Sequence, residues 1–339
     1  MKRVLVRPDL GPTIGAGHAM RDLAIAEALI AEGDEVVYAC STDGVEWVRG
    51  AIVARGCAVV PSPAGTLGEL ATSLHADLVI VDSYTLPTDE YTGVMDRGIP
   101  LAAVVDGERR GAAADLLIDP GPSEPGDWAE ARASGQAILA GLEYALVREE
   151  FRSRSPRRST EHTPMGVLIA FGGTDAFGLA AAMTRLVLDL GAPLRATVLT
   201  RPELVSEVES LARREGQIVT VATSADQFAG LVREQDVVLG AAGSTVSELL
   251  AMGTAAGLVC AADNQRRNFD RLGGTGAAFP LGTRDQLVAR DPALVERVGR
   301  LLGDAPLRRA LREAAPRTVD GLGPRRIAAA LSRIARVRD

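Results

Sequence analysis

The sequence predicts an α/β protein built from two doubly wound parallel-sheet domains. Short apolar runs alternate with segments of helical periodicity along the whole chain, as in parallel sheets whose strands are joined by crossover helices. The chain has 339 residues, and at roughly 150 residues per domain this length suggests two domains. A polar, proline-containing stretch at 152–164 interrupts the alternation near the middle. These three observations define the predicted fold class.

The first half is predicted to form a Rossmann-like domain at 1–151. Its apolar runs alternate with helical segments such as 21–31, which places Leu23, Ala26 and Ile30 on one face. The stretch 152–164 has no periodicity and is predicted to be a linker. The predicted strands of this half are 4–6, 36–39, 78–81, 101–105 and 116–118.

The second half restarts the same alternation and is predicted to form a second domain at 165–320. A helical tail is predicted from about 292 to 336, and the part at 321–339 is expected to pack back on the first domain. A cleft between two such domains is where we expect a ligand. The predicted strands of this half are 167–171, 196–199, 218–221, 237–239 and 257–260.

The basic residues of the chain exclude several classes of chemistry. Of 37 lysines and arginines, only Lys2 is a lysine. A P-loop needs a lysine within a glycine-rich motif, so Walker-type nucleotide hydrolysis is excluded. A Schiff-base enzyme needs an internal lysine, so pyridoxal phosphate and aldolase-type enzymes are excluded as well. We attribute the arginine excess itself to a GC-rich genome.

Charge and cysteine content indicate a cytoplasmic protein. A net charge of -7 argues against binding to nucleic acid, which would need a basic face. The cysteines at 40, 57 and 260 have no metal-type spacing and are expected to be reduced core residues. No apolar run reaches the roughly 18 residues of a membrane helix. We expect a monomer or a weak homodimer, without a membrane span and without a metal.

Three glycine clusters follow predicted strands, where open α/β sheets bind their ligands. They lie at 11–18, at 172–175 and at 240–245. Glycine there lets the backbone approach a phosphate, which the free N–H groups of the next helix can bind. A single cluster could serve only as a tight turn, but three at corresponding positions favour a nucleotide site. A dinucleotide fold is disfavoured, because Met20 replaces the third glycine of the motif and the second strand ends Tyr38-Ala39-Cys40-Ser41 without an acidic residue for a ribose.

Three histidines can be compared as candidate bases. His75 lies just before a strand without polar neighbours in the sequence, and His162 lies in the predicted linker. His18 follows the first glycine cluster and opens a helix, whose N-terminus favours the neutral imidazole that a general base needs. His18 is therefore the candidate catalytic residue.

A series of motifs then resembles one enzyme family along most of the chain. The N-terminal signature consists of VRPD at 6–9 and IGAGHAMRDL at 14–23. It resembles that of the pseudaminic acid pathway UDP-sugar hydrolases and their spore-coat polysaccharide relatives. The further matching motifs, in chain order, are VDSY at 81–84, LAGLEYALVR at 139–148, FGGTD at 171–175, AGSTVSEL at 242–249 and ADNQRRN at 262–268.

The resemblance implies a GT-B fold, similar to that of the lipid II-forming N-acetylglucosaminyltransferases. It implies that a nucleotide sugar binds in the interdomain cleft, with UDP on the C-terminal domain and His18 as general base. Glu248 would accept hydrogen bonds from the ribose hydroxyls, a role that suits a carboxylate. The nucleotide-binding candidates are Gly172, Gly173, Thr174, Phe228, Gly243, Ser244, Thr245 and Glu248.

The remaining candidates are assigned to the sugar or its phosphate. UDP would leave through an oxocarbenium-like transition state, with the charge on its β-phosphate stabilised by donors at helix starts and without a cofactor. Inversion follows if His18 activates a nucleophile on the opposite face. The partners expected are a nucleotide sugar and, in a transferase, a small acceptor. The substrate-binding candidates are Gly15, Gly17, Arg21, Asp82, Tyr84, Asp106, Asn264, Gln265 and Asn268.

Departures from the family pattern leave the nucleophile open. The hydrolases usually show two consecutive acidic residues where this chain has Asp106-Gly107, and the segment Asp119-Pro120-Gly121 lacks the usual asparagine. The prediction is a UDP-sugar hydrolase. A glycosyltransferase is the first alternative, and a non-catalytic nucleotide-sugar-binding module is the second, although such a module would be expected to lose His18 or Glu248.

Overall fold

Two parallel sheets account for the apolar runs of the sequence. The computed structural model describes residues 1–11, 14–61, 67–124, 126–152, 164–172, 175–224 and 228–336. The chain divides into a first unit, Met1–Glu149 with Gly321–Asp339, and a second unit, Glu150–Asp320. Residues 153–163, which include most of the predicted linker and His162, lie outside the described residues.

Within the described residues the first sheet has seven strands and the second has six, all parallel. The ten predicted strands are all present, with ends that differ by up to two residues. The strands are β1 (Arg3–Pro8), β2 (Glu35–Ala39), β3 (Ala58–Val60), β4 (Leu78–Asp82), β5 (Leu101–Val104), β6 (Leu116–Asp119), β7 (Ala137–Ala140), β8 (Met165–Ala170), β9 (Leu194–Leu199), β10 (Gln217–Ala222), β11 (Val237–Ala241), β12 (Ala256–Cys260) and β13 (Phe279–Thr283).

Helices connect these strands in both units. The predicted helical tail consists of three helices, and Asp304 separates the first two by capping the second through a bond from the Leu307 amide at 2.9 Å. The helices are α1 (Gly17–Ala31), α2 (Glu46–Ala54), α3 (Leu67–Ser73), α4 (Thr88–Met95), α5 (Ala129–Ala133), α6 (Glu149–Arg152), α7 (Leu179–Asp189), α8 (Val205–Glu209), α9 (Phe228–Arg233), α10 (Thr245–Ala251), α11 (Arg266–Gly274), α12 (Arg284–Val288), α13 (Pro292–Gly303), α14 (Ala305–Thr318) and α15 (Gly323–Arg336).

The strand orders place a topological switch point in each sheet. The first sheet runs β3-β2-β1-β4-β5-β6-β7, and the second runs β10-β9-β8-β11-β12-β13. The direction of winding reverses between β1 and β4 in the first unit and between β8 and β11 in the second. Ligands of open α/β sheets bind beyond the carboxyl ends of the strands at such points. The three glycine clusters of the sequence follow β1, β8 and β11, next to these points.

Alternating residues of the first sheet fill two separate cores. Val4 and Val6 of β1 pack into one cluster with α1 and α15, whereas Leu5 packs into the cluster on the opposite face. Both faces of a doubly wound sheet are covered by helices, so its strands are apolar throughout. None of the helices in the described ranges is long and apolar enough to span a membrane.

The last helix of the chain belongs to the first unit. Ile327, Ala328 and Leu331 of α15 are fully buried in the same cluster as the apolar residues of α1. Gly323 begins this helix at a point where a Cβ atom would lie 2.3 Å from the carbonyl oxygen of Ala145. Only glycine fits this close approach of two backbones.

We therefore expect Gly323→Ala to destabilise the first unit by roughly 1–3 kcal/mol, because the added methyl group meets backbone that cannot move aside freely. Thermal unfolding of the two proteins measures the difference. Gly50→Ala is the matched control: Gly50 is exposed in α2, and a Cβ atom there would have no neighbour within 4 Å, so alanine should stabilise the helix slightly. Equal melting temperatures for Gly323→Ala and the wild type would contradict the role given to Gly323.

Candidate functional site

The loops at the switch point of the first unit are joined by Asp9. This carboxylate is 2% exposed and accepts hydrogen bonds from the Ser83 hydroxyl at 2.7 Å, the Tyr84 amide at 2.7 Å and the Thr85 hydroxyl at 3.1 Å. The chain beyond β4 is thereby fixed to the chain beyond β1. Because Asp9 holds the backbone of Tyr84, it determines where that ring lies.

His18 lies in the first turn of α1, next to this junction. Its ring meets the ring of Tyr84 edge to face, with centroids 4.5 Å apart and planes at 77°. The side chain is buried, and its Nδ1 atom is fully buried without a hydrogen-bond partner among the described residues. Ahead of the helix, Gly15 has a φ of +85°, a value that favours glycine. His18 is thus held mainly by packing against Tyr84.

Arg21 follows one turn later on the same helix and joins two carboxylates. Its Nε and Nη2 atoms donate to Asp82 at 2.6 Å each, and its Nη1 atom donates to Asp106 at 2.8 and 3.0 Å. The Asp82 side chain is fully buried, and the guanidinium is 9% exposed. The Tyr84 hydroxyl donates to Asp106 as well. The structure therefore brings together the predicted residues His18, Arg21, Asp82, Tyr84 and Asp106.

The charges in this network have opposite effects on two neighbouring groups. Burial by itself would raise the pKa of Asp106, but the Arg21 guanidinium and the Tyr84 hydroxyl outweigh it and hold that pKa at about 2. Burial and the Asp106 charge both raise the pKa of the Tyr84 phenol well above its usual value. At neutral pH, Asp106 is therefore an anion and Tyr84 is a hydrogen-bond donor to it.

Arg110 completes the surroundings of Tyr84 and was missed by sequence reasoning. Its Cζ atom lies 4.0 Å from the centroid of the Tyr84 ring, in a cation–π contact. The residue has a φ of +44° in the turn that Ala112 closes by donating to the Arg109 carbonyl at 2.8 Å. Such backbone strain is uncommon for a residue other than glycine and is often found at functional sites. The arginine-glycine pair at 110–111 indicated a turn but not this contact.

The two departures from the family pattern have structural explanations. Gly107 has a φ of +80°, so an acidic side chain at this position would be strained. Asp119 is fully buried and accepts a hydrogen bond from the Trp128 indole at 2.8 Å. The backbone of the loop therefore favours glycine at position 107. The Asp119 carboxylate has a structural role, because it bonds to Trp128.

In the second unit, the glycine cluster after β8 is only partly described. Gly172 has a φ of +83°, whereas the candidates Gly173 and Thr174 lie outside the described residues. Asp175 follows with a φ of +44° and accepts from the Leu179 amide at 2.8 Å and from the Thr200 hydroxyl at 3.0 Å. Asp175 thus fixes the start of α7.

The cluster after β11 is closely packed against β8 and against the segment after β12. A Cβ atom at Gly240 would lie 2.3 Å from the Ala170 carbonyl oxygen, so β11 tolerates only glycine there. Gly243 precedes Ser244, which is the N-cap residue of α10 but makes no capping bond with its side chain. Thr245 opens that helix, and Glu248 is buried within it at 5% exposure.

The candidates that follow β12 brace this loop. The Gln265 side-chain oxygen accepts from the Ala261 amide at 3.0 Å, and the Asn268 amide donates to the Ala242 carbonyl at 3.2 Å. Asn264 is exposed beside them in a short 3₁₀ turn. The Asn268 bond therefore ties the segment after β12 to the loop after β11, and the Gln265 bond fixes the turn directly after β12.

Phe228 lies elsewhere in the same unit, at the start of α9. It is 8% exposed, and its ring packs against Phe151 with centroids 6.1 Å apart. Within the described residues no three His, Cys, Asp or Glu side chains are placed to hold a metal ion.

Comparison with solved structures identifies the fold. The structure superposes on MurG of Acinetobacter baumannii with a TM-score of 0.69 and 17% identity, covering 98% of this chain and 100% of that one. It also superposes on the spinosyn rhamnosyltransferase SpnG complexed with thymidine diphosphate, with a TM-score of 0.65, 15% identity and coverage of 98% and 100%. The fold is GT-B, which confirms the predicted fold class.

A match to the sequence of a known enzyme narrows the class of enzyme to which this chain is similar. The chain is 23% identical over 273 residues to the UDP-2,4-diacetamido-2,4,6-trideoxy-beta-L-altropyranose hydrolase of Campylobacter jejuni, a match that covers 78% of this chain and 93% of that protein. No protein-family model matches. The chain is a distant homologue of this hydrolase, and its similarities group it with GT-B enzymes that are hydrolases or glycosyltransferases.

The depressed pKa of Asp106 gives a testable link between pH and stability. An unfolded aspartate titrates near pH 3.9, so the contribution of Asp106 is present above that pH and is lost as the pH falls through about 2. We expect Asp106→Asn to be less stable than the wild type at pH 7 by on the order of 2 kcal/mol, with the gap closing between pH 4 and pH 2.

Thermal unfolding at several pH values measures this gap. Asp96→Asn, at an exposed position, serves as the control and should track the wild type throughout. A gap for Asp106→Asn that stays constant down to pH 2 would show that Arg21 and Tyr84 do not stabilise the Asp106 anion.

Proposed function

We propose that this protein acts on a nucleotide sugar and that its reaction is most like that of a UDP-sugar hydrolase, with inversion at the anomeric carbon and release of UDP. The observation that carries this proposal is the match to the altropyranose hydrolase, which extends over 93% of that protein. The GT-B fold supports it independently, because the glycosyltransferases with this fold also superpose over nearly the whole chain.

His18 is the general base in this proposal. Its Nδ1 atom is buried, so we assign Nε2 as the atom that takes a proton from the attacking nucleophile. Packing against Tyr84 would hold the imidazole in place before the nucleophile binds. When the nucleophile is water, its oxygen forms the new bond to C1 while the old C1–O electron pair leaves with UDP.

The second unit is proposed to bind the nucleotide. The backbone of Gly172, Gly173 and Gly243 would approach the diphosphate, together with Thr174, Ser244 and Thr245. Glu248 would accept hydrogen bonds from the ribose hydroxyls, and Phe228 would contact the nucleotide. Backbone N–H groups and hydroxyls can stabilise the charge that develops on the leaving phosphate, so we propose a metal-independent reaction.

The sugar is proposed to contact the first unit and the segment after β12. Gly15 and Gly17 allow close approach of the backbone, and Arg21 with its two carboxylates and Tyr84 would supply the polar groups. Asn264, Gln265 and Asn268 would contact the sugar or its phosphate. Because Gln265 and Asn268 already bond to neighbouring backbone, they would also position the loops that hold the nucleotide.

A glycosyltransferase is the second candidate function. Gly107 replaces the second acidic residue that the hydrolases usually have, and its positive φ shows that the loop is built around glycine. This change lies on the side of the site assigned to the nucleophile. In that case an acceptor hydroxyl or amine would take the place of water, with His18 in the same role.

The two candidates predict different behaviour with a panel of nucleotide sugars. We expect UDP-sugars to release UDP without an acceptor, measured as free nucleotide by chromatography. Thymidine diphosphate sugars belong in the panel, because SpnG was solved with that nucleotide. Release that begins only when an acceptor is added would favour the transferase. If neither UDP nor thymidine diphosphate raises the melting temperature, the nucleotide-sugar proposal is wrong.

His18→Ala should lower kcat by at least about 100-fold and leave the affinity for UDP nearly unchanged, because a general base contributes to chemistry and not to nucleotide binding. Turnover and the UDP-dependent shift in melting temperature give the two quantities. His75→Asn is the control, since His75 is exposed with a φ of +51° that asparagine tolerates. Equal losses of turnover and UDP affinity in His18→Ala would exclude the role of base.

A further inference from the structure

A third carboxyl group lies behind the Arg21 network and has no role in the proposed reaction. Asp22 follows Arg21 on α1 and is 1% exposed. Both of its carboxyl oxygens are fully buried, and neither accepts a hydrogen bond from a donor among the described residues. A buried carboxylate without donors is among the most costly groups a protein can contain.

Asp82 is the carboxyl neighbour of Asp22, and burial, together with the Asp82 charge and a hydrogen bond between the two carboxyl groups, raises the pKa of Asp22. An ionised carboxylate offers only acceptors, so two facing carboxyl groups can bond only if one of them carries a proton. Asp82 accepts charge-assisted hydrogen bonds from Arg21 through both of its oxygens, whereas the Asp22 oxygens accept none from the described residues. The proton therefore belongs on Asp22.

The balance of charge around Asp22 leads to the same assignment. The titratable groups that face it are Arg21 on its own helix, Asp82 at the end of β4, Asp106 after β5, and Tyr38 and Cys40 from β2 and its end. Of these, Arg21 is the cation, and it already faces two carboxylates. A third buried anion would leave the cluster with excess negative charge, and burial raises the pKa of Asp22 well above its usual value.

We propose that Asp22 is held as a neutral carboxylic acid that donates a hydrogen bond to Asp82, and that it acts as a positioning residue for Arg21. Asp82 then holds one side of the guanidinium while the other side remains available to Asp106. Asp106 in turn accepts from Tyr84, which packs against His18. Asp22 would contact neither substrate nor reacting atoms.

Loss of this proton would change the network. An ionised Asp22 would repel Asp82 and compete with Asp106 for the single guanidinium. The folded-state pKa of Asp22 lies above its unfolded value of about 3.9. Its contribution to stability is therefore complete below pH 4 and is lost as the pH rises through the folded-state value.

Asp22→Asn tests the proposal without reference to activity. Asparagine copies the shape and the donor of the neutral acid but cannot ionise. Melting temperatures of wild type and variant are measured from pH 5 to pH 9. We expect the variant to gain on the wild type as the pH rises, with the unfolding equilibrium constant of the wild type increasing up to tenfold per pH unit relative to the variant.

Asp82→Asn is the matched control, because it makes the same chemical change on the facing carboxyl. Both Asp82 oxygens accept hydrogen bonds from Arg21. In Asp82→Asn one of these oxygens becomes an NH2 group, which cannot accept a hydrogen bond, so one of the two bonds is lost. This variant should be less stable than the wild type at every pH. If Asp22→Asn gains stability relative to the wild type as the pH rises and Asp82→Asn is less stable at every pH, Asp22 is the protonated partner.

Infrared difference spectra of wild type minus Asp22→Asn at pH 7 provide a second measurement. The carbonyl stretch of a protonated carboxyl should be present in the wild type and absent from the variant. An Asp22→Asn protein that fails to fold, a stability difference independent of pH, or a missing carboxylic acid band would each overturn the proposal.

The consequence for turnover rests on the proposed function and is tested separately. In the wild type, release of nucleotide should decline at alkaline pH as Asp22 ionises, and Asp22→Asn should shift this decline by at least one pH unit. Asp22→Ala, which removes the donor, should lose kcat already at pH 7 with an unchanged KM. Unchanged alkaline behaviour in Asp22→Asn would refute the positioning role, whereas absence of any turnover in the wild type would refute only the proposed function.

Discussion

The candidate site of the first unit depends on one guanidinium. Arg21 bonds to one carboxylate at the end of β4 and to another just after β5, and it does so from a helix that begins at the switch point. Three parts of the chain, separated by 61 and 85 residues, are held together by these bonds. Removing one partner from a buried charge pair typically costs about 3–5 kcal/mol. The bonds of Arg21 to Asp82 and Asp106 therefore determine how the surrounding side chains of the site are arranged.

The face of α1 that carries Arg21 explains why these groups meet. His18, Arg21 and Asp22 are spaced at i, i+3 and i+4, so they share one side of the helix. The candidate base, the cation that orders the carboxylates and the buried acid behind them are thus parts of one rigid element. Any shift of α1 would move all three together, which couples the position of the imidazole to the charge state of the network.

The sequence predicts the inner strands of both sheets and the edge strand β10, but it misses the other three edge strands. β3, β7 and β13 all lie at the end of a sheet, where one side has no neighbouring strand. β3 and β7 are short apolar runs, AVV and AILA, that are partly exposed along their length, and β13 is interrupted by Pro280 and Gly282. Their formation depends on an existing sheet beside them, which a local pattern cannot reveal.

The sequence names candidate site residues one by one, but it does not show which of them contact each other. His18 was identified from its position at the start of a helix after a glycine cluster, and Arg21, Asp82, Tyr84 and Asp106 from a family resemblance, which gives positions but not partners. Their pairing depends on strand order, because the residues after β4 and β5 come near α1 only when β4 lies beside β1. Asp9 and Arg110 were missed for a related reason, since each acts through contacts with Tyr84 that no spacing in the sequence encodes.

The near absence of lysine has a different meaning at position 21 than elsewhere. Codon usage can account for an excess of arginine over the whole chain, but it does not explain a side chain that uses Nε, Nη1 and Nη2 to bond to four carboxylate oxygens. A lysine ammonium has three donors on a single atom and cannot bridge two carboxylates in a plane. At this position the geometry of the guanidinium is required by the fold, so a general bias in composition and a specific structural demand select the same residue.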